Sequence, residues 1–171
     1  MLASPAPYRP PTLADLFPLA RDATGGVEVP VGPRFEIAAL PEAQARRVIT
    51  LLAHREPYPV GAVLARHDDA RWLFFLPPGS AEGLNWAAPF SYTASGVVWV
   101  PPVPSAGPVS DGAGTPRWVR FGNPDRRAFT APLVLYAVTS LLSLSTDRAR
   151  AAAVGARRTH GDLRGRGVCH V

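Results

Sequence analysis

A chain of 171 residues, 47% apolar and 18% charged, is long enough for one domain with a sizeable core and is neither disordered throughout nor supercharged. All 18 of its Lys+Arg residues are arginine, which removes any catalytic lysine, and the lone cysteine, Cys169, excludes an intramolecular disulfide and a cysteine-built zinc site. The net charge of +5 is uneven: residues 1–146 hold 12 Arg against 11 acids, and residues 147–171 hold six Arg against two acids.

The high pI therefore belongs mostly to a tail. A basic tail can contact nucleic acid or an anionic membrane; the simpler reading is a solvated segment whose Arg, Ala and Gly content predicts disorder. The 20 prolines and 15 glycines predict many turns and short elements. No charged n-region followed by an apolar h-region stands at the N-terminus, so no signal peptide is expected and the cytoplasm is the expected compartment.

Residues 1–12 carry four prolines and read as a flexible lead. Leu13, Leu16, Phe17 and Ala20 fall at helical spacing, which predicts a short helix near 12–22 with Thr12 as its N-cap. Gly25-Gly26 ends it. Val27, Val29 and Val31 then alternate with Glu28 and Pro30, the period of a half-buried strand, and Phe35–Leu40 is a more continuous apolar run suited to a strand covered on both faces. Pro41 suits the first position of a following helix. In that helix Ala45, Val48, Ile49 and Leu52 form one apolar stripe.

Val60–Arg66 and Arg71–Leu76 read as two strands joined by a hairpin turn at His67-Asp68-Asp69-Ala70. Pro77-Pro78-Gly79 stops the second of them. Ser80 is positioned to cap a short helix through Trp86. Phe90–Thr93 and Gly96–Val100 read as further strands, residues 101–116 as a mobile loop, and Arg117–Phe121 as an edge or central strand. Gly122-Asn123-Pro124-Asp125 is a turn signal. Ala128–Ser145 is the most apolar stretch. Leu133, Ala137, Leu141 and Leu144 mark one side of it, and Leu135, Val138 and Leu142 another. Its six internal Thr, Ser and Pro residues favour a helix packed on the sheet over a membrane span, which needs roughly 20 apolar residues.

Candidate chemistry is sparse. Glu36 lies inside an apolar strand, where a buried carboxylate needs a partner or a metal; an exposed side or a pairing with Arg34 is the plainer alternative. Asp68-Asp69 supplies adjacent carboxylates of the kind hard cations use, though acids in a hairpin turn are ordinarily solvated. His54 suits a helix C-terminus. His67 sits beside the turn acids, and His160 and His170 in the tail have no partners at ligand spacing. Arg71-Trp72 and Arg117-Trp118-Val119-Arg120 interleave aromatics with arginines, a pattern that can stack bases and hold phosphates but equally suits strand packing. No P-loop, G-x-S-x-G or H-E-x-x-H motif occurs.

The segments RFEIAALP (Arg34–Pro41), DDARWLFFLPPG (Asp68–Gly79) and FSYTASGVVWVPP (Phe90–Pro102) follow one another as strand into Pro41 and helix, strand into Pro77-Pro78-Gly79, and strand into Pro101-Pro102. In this order the chain, over residues 25–145, resembles the N-terminal domain of bifunctional DNA primase/polymerases, and more closely the small stand-alone relatives found in actinomycetes. That resemblance implies nucleotidyl transfer by two metal ions held on carboxylates. Ala38 and Leu40 stand where the family's spaced carboxylates are expected, Arg71-Trp72 near the position of its histidine, and Tyr92–Ser95 offers no third acid.

The expected fold is therefore a single α/β domain of the α+β type: a mixed, mostly antiparallel sheet with flanking helices. Residues 1–24 form the flexible lead with its short helix, 25–146 the primase/polymerase-like domain, and 147–171 the disordered basic tail. The resemblance implies a catalytically degenerate member with residual nucleic-acid or partner binding. One alternative is an active nucleotidyl transferase with a rearranged metal site at Glu36, Asp68 and Asp69; the other is a non-catalytic protein-interaction module. Glu36 is the catalytic candidate, and Arg34, Arg71, Trp72, Arg117 and Arg120 are the nucleic-acid-binding candidates. No metal ligand or cofactor is assigned, with Mg²⁺ or Mn²⁺ required only if the site is active. DNA, a nucleotide or a protein is the expected partner, and a membrane is not.

Overall fold

Alternation in the first strand and continuity in the second decide where each goes. In the computed structural model, which describes residues 9–21, 23–55, 57–80, 82–103, 116–122 and 127–145, β1 (Val27–Val31) pairs antiparallel with β6 (Gly96–Val100) as a two-stranded ribbon. Val27, Val29 and Val31 turn one face of the ribbon into the core, whereas Glu28 and Pro30 stay exposed. Five consecutive residues of β2 (Glu36–Pro41) are buried, because β2 lies inside a second sheet with both faces covered. That sheet has the order β5–β2–β4–β3–β7, with β3 at Ala62–Arg66, β4 at Arg71–Leu76, β5 at Ser91–Thr93 and β7 at Arg117–Phe121.

The α+β architecture holds. The sheet differs in two respects from the mixed one expected: every pairing among the described strands is antiparallel, and the strands divide into two sheets. β5 and β6, adjacent in sequence, part company at residues 94–95, one pairing with β2 and the other with β1. β7 takes an edge, beside β3.

Period-two alternation along the five-stranded sheet builds two cores. On one face Ile37, Ala39, Leu64, Leu73 and Phe75 pack with the ribbon and with Leu13, Leu16, Phe17 and Ala20. On the other Ala38, Leu40, Val63, Trp72, Phe74 and Leu76 pack under α2 (Glu42–Leu52), through Ala45, Val48 and Leu52, and under α3 (residues 132–145), through Leu135 and Leu142. The layers are ribbon and N-terminal turns, sheet, and helix pair.

The short helix expected near 12–22, with Thr12 as its N-cap, is present in a shorter form. Leu13–Leu16 forms α1, capped by Thr12, whose hydroxyl accepts from Asp15 N while the Asp15 carboxylate accepts from Thr12 N at 2.8 Å. These hydrogen bonds from Thr12 hold the Asp15 carboxyl below its ordinary value. A 3₁₀ turn at Pro18–Ala20 follows, and the buried side chains of this segment close one core. Residues 1–8, the loop 104–115 and the tail 147–171 lie outside the described residues.

Pro41 also sits differently. It ends β2 in extended backbone (φ −54°, ψ 142°), and α2 starts one residue later. The first helical amide, Glu42 N, donates to Ala70 O at 2.9 Å in the β3–β4 turn, which supplies the acceptor a proline side chain lacks. Ser80 caps no helix: its hydroxyl donates to Pro77 O, and residues 82–90 run irregularly.

The apolar stretch from Ala128 starts as extended chain. Ala62 N donates to Ala128 O at 2.8 Å, Thr130 N to Phe75 O at 2.8 Å, and Gly61 N to the Thr130 hydroxyl at 3.1 Å. The helix then begins with Pro132, whose missing N–H costs nothing there. The hydroxyls of Thr139, Ser143 and Ser145 donate back to carbonyls of their own helix. Among the described residues no helix is long and apolar enough to cross a membrane.

Gly61 is what lets this segment lie so close. A Cβ there would stand 2.2 Å from Ala128 O and 2.5 Å from the carbonyl of Phe129, both rigid backbone. Gly61→Ala is expected to cost about 1–3 kcal/mol by overpacking, read as a lower denaturation midpoint with accelerated exchange of the Ala62 amide. An unchanged midpoint would contradict this packing.

Candidate functional site

Glu36 opens β2 on the face that carries Ala38 and Leu40, and it is only 5% exposed. Register sets its neighbours. Leu76 is its partner across β4, and Tyr92 lies opposite Ala38 on β5, one pleat along the same face. The chain leaves β4 through Pro77-Pro78 and bends at Gly79, whose φ of +68° is left-handed and suits glycine. That bend aims Gly79 N at Glu36 Oε1, at 2.7 Å. No geometrically defined hydrogen bond reaches Oε2 among the described residues.

Tyr92 joins the carboxylate to a group of aromatic rings. The Tyr92 ring stacks against Trp86 (centroids 6.3 Å apart, planes 10° apart), and Tyr136 of α3 meets Trp86 edge-on at 5.5 Å. Trp86 Nε1 is buried without a partner. Burial first, and then the hydrogen bond that its hydroxyl donates to the Glu36 carboxylate, push the Tyr92 phenol up to about 12. At neutral pH Tyr92 thus keeps its proton.

The residues do not suit the two-metal centre that the family resemblance implies. Such a centre needs converging oxygen ligands, and the two β2 positions in question are Ala38 and Leu40, each 0% exposed inside the helix-side core. Asp68 and Asp69 cannot complete a site with Glu36. Glu36 is opposite Leu76 and Pro41 is opposite Arg71, so the β3–β4 turn lies at the far end of the sheet, five strand residues or about 17 Å away. Asp68 and Asp69 are instead engaged by Arg66, which holds the Asp68 carboxyl below its ordinary value. Among the described residues no three His, Cys, Asp or Glu side chains come together as a metal site.

The nucleic-acid candidates do not form one surface. Trp72 is buried at 4% exposure, and the Arg46 guanidinium covers its ring at 4.8 Å, so base stacking on Trp72 is excluded. Arg71 is a tie across the sheet: its Nη1 donates to the Ser91 hydroxyl at 3.0 Å and lies 3.5 Å from Ala39 O. Arg34 is exposed in the turn before β2, whereas Arg117, also exposed, is opposite Ala65 on the far edge near the other end of the strands. Arg120 is half-buried, with its Nε lacking a hydrogen-bond partner. The Glu36–Arg34 pairing considered from sequence is not among the ion pairs of the described residues. His54 is exposed in the turn that follows α2, and His67 is exposed in the hairpin; His160 and His170 lie outside the described residues.

Sequence reasoning singled out Glu36 but missed Gly79, Trp86, Tyr92 and Tyr136 as its surroundings. They span nearly 60 positions: the pairing of β2 with β4 and β5 brings Gly79 and Tyr92 to Glu36, and Trp86 and Tyr136 join them through ring contacts. A separate recess of about 880 Å³ lies between the end of α2 and the start of α3, walled by Leu51, Tyr58, Phe129, Leu133 and Leu141. No family model, curated protein or solved structure matches this chain.

Proposed function

We propose that the chain is a primase/polymerase-like domain that has lost nucleotidyl transfer and works by binding. The observation that carries this reading is the fate of β2: Ala38 and Leu40 are sealed in the core beneath α2, leaving Glu36 as the strand's only carboxylate. The resemblance in segment order supplies the family, and nucleic acid is the partner it suggests. The exposed Arg34 and Arg117 are the remaining candidates for phosphate contact.

The test is primer extension and de novo synthesis with Mg²⁺ or Mn²⁺, comparing wild type with Glu36→Ala. No incorporation by either protein is expected. Incorporation by wild type that disappears in Glu36→Ala would overturn the proposal in favour of an active transferase. DNA binding should weaken steeply with salt, since each phosphate contact releases counterions. Salt-insensitive or undetectable binding would favour the protein-interaction reading. That second reading has its own support in exposed apolar side chains on the helix layer: Leu133 at 68%, Leu141 at 64% and Leu144 at 66% on α3, and Leu51 at 56% on α2.

A further inference from the structure

The recess between α2 and α3, at about 880 Å³, lies within the size range of small-molecule sites. Its walls are apolar and wet. Leu51 of α2 and Leu133 and Leu141 of α3 all line it, and all three are largely exposed. Ala137 lines it too and is exposed. Leu133, Ala137 and Leu141 stand four residues apart, so one stripe of α3 serves as a wall. Backbone hydrogen bonds fix two further lining segments. Ala131 N donates to Pro59 O at 2.7 Å and Thr130 N to Phe75 O at 2.8 Å, which ties the chain around Tyr58 and Phe129 to itself and to β4. The charge on the lining is one-sided: Arg55 and Arg127 contribute to it, and none of the described lining residues is acidic. Arg55 is exposed and belongs to none of the ion pairs of the described residues. Exposed aliphatic walls with cations and no anion complement a ligand that has an apolar tail and one negative head. A nucleic acid would meet the arginines and leave the leucines wet.

We propose that this recess binds a fatty acid: an unbranched aliphatic carboxylate, taken up as one free molecule. The tail lies along the Leu133–Ala137–Leu141 stripe and against Leu51, and the carboxylate pairs with Arg55 just beyond α2. Covering these side chains removes apolar surface from water, which drives the tail in. Arginine suits the head, because its fixed fork of N–H donors matches a carboxylate with two parallel hydrogen bonds. The site goes beyond the primase/polymerase-like reading and uses neither Glu36 nor the exposed Arg34 and Arg117.

Isothermal titration calorimetry on the full chain tests this, with sodium decanoate kept below the concentration at which it forms micelles. Decyltrimethylammonium bromide offers the same tail with the opposite charge, and sodium propionate offers the head without the tail. The expected result is saturable binding of one decanoate per chain, at least about tenfold tighter than decyltrimethylammonium, and no binding of propionate. Arg55→Glu should weaken decanoate binding by about tenfold or more. Ala137→Trp, which fills the recess from an exposed position, should abolish it. Both substitutions are at exposed positions, and an unchanged denaturation midpoint shows that each variant is folded. Equal affinity for the two head groups, or for wild type and Arg55→Glu, would overturn the proposal. Uptake of several decanoates per chain that persists in Ala137→Trp would also overturn it, as adsorption to scattered leucines. Absence of saturable binding would overturn it and leave those leucines to a protein partner. Primer extension and DNA binding are read in separate assays, so the two proposals fail separately.

Discussion

Phe17→Ala is expected to destabilise the domain by about 3–5 kcal/mol, the range for removing a large buried aromatic side chain. Phe17 is 1% exposed. Its ring meets Phe35 at 5.1 Å and Phe75 at 5.2 Å, both close to perpendicular, and Trp118 at 5.7 Å. Edge-to-face pairs of this kind add to the area they bury. Phe35 and Phe75 also meet each other at 5.4 Å, so the ring from the N-terminal turns completes a cluster begun by Phe35, just before β2, and Phe75 of β4. A loss of this size consumes a large share of a typical domain's roughly 5–15 kcal/mol. Urea unfolding followed by tryptophan fluorescence would measure it. A change below about 0.5 kcal/mol, the range of an ordinary surface substitution, would return this segment to the status of a loose lead.

Adjacent leucines on α3 should behave oppositely. Leu142 is 7% exposed and packs in the helix-side core with Leu135, whereas Leu141 is 64% exposed. Leu142→Ala is expected to cost about 2–5 kcal/mol, and Leu141→Ala to stay within about 0.5 kcal/mol. Comparing the two midpoints in one denaturant series checks the helix phase directly. Similar losses for both would mean that α3 is rotated or that its outer face is covered in solution. The contrast also bears on the proposed protein-interaction reading, which rests on the exposure of Leu133, Leu141 and Leu144.

These two expectations mark where local patterning stops being informative. Both apolar stripes of α3 were visible from spacing, Leu133-Ala137-Leu141-Leu144 and Leu135-Val138-Leu142. Periodicity shows that such faces exist, and the surface against which the helix docks chooses between them. Likewise the spacing of Leu13, Leu16, Phe17 and Ala20 was legible as a helical pattern. The proline-rich residues before it suggested a lead, because nothing local records that the ribbon and the sheet leave a gap the size of Phe17.

What the amino-acid order determined by itself were the features set by short-range sterics and alternation. Among these are β1, β2, β4 and β6 to within a residue or so, the hairpin at His67–Ala70, the Thr12 cap, the inward stripe of α2, and the burial of Ala38 and Leu40 where a metal site would need acids. Tertiary structure alone decided the features that depend on distant segments meeting. Antiparallel register sends β5 and β6 into different sheets, and it puts Asp68 and Asp69 at the opposite end of the sheet from Glu36. It also stacks Trp86 on Tyr92 and brings Tyr136 to them from another layer. A one-residue shift in pairing would turn Glu36 to the opposite face, so the surroundings of that carboxylate are a property of the whole sheet and its covering helices, which no local stretch of sequence encodes.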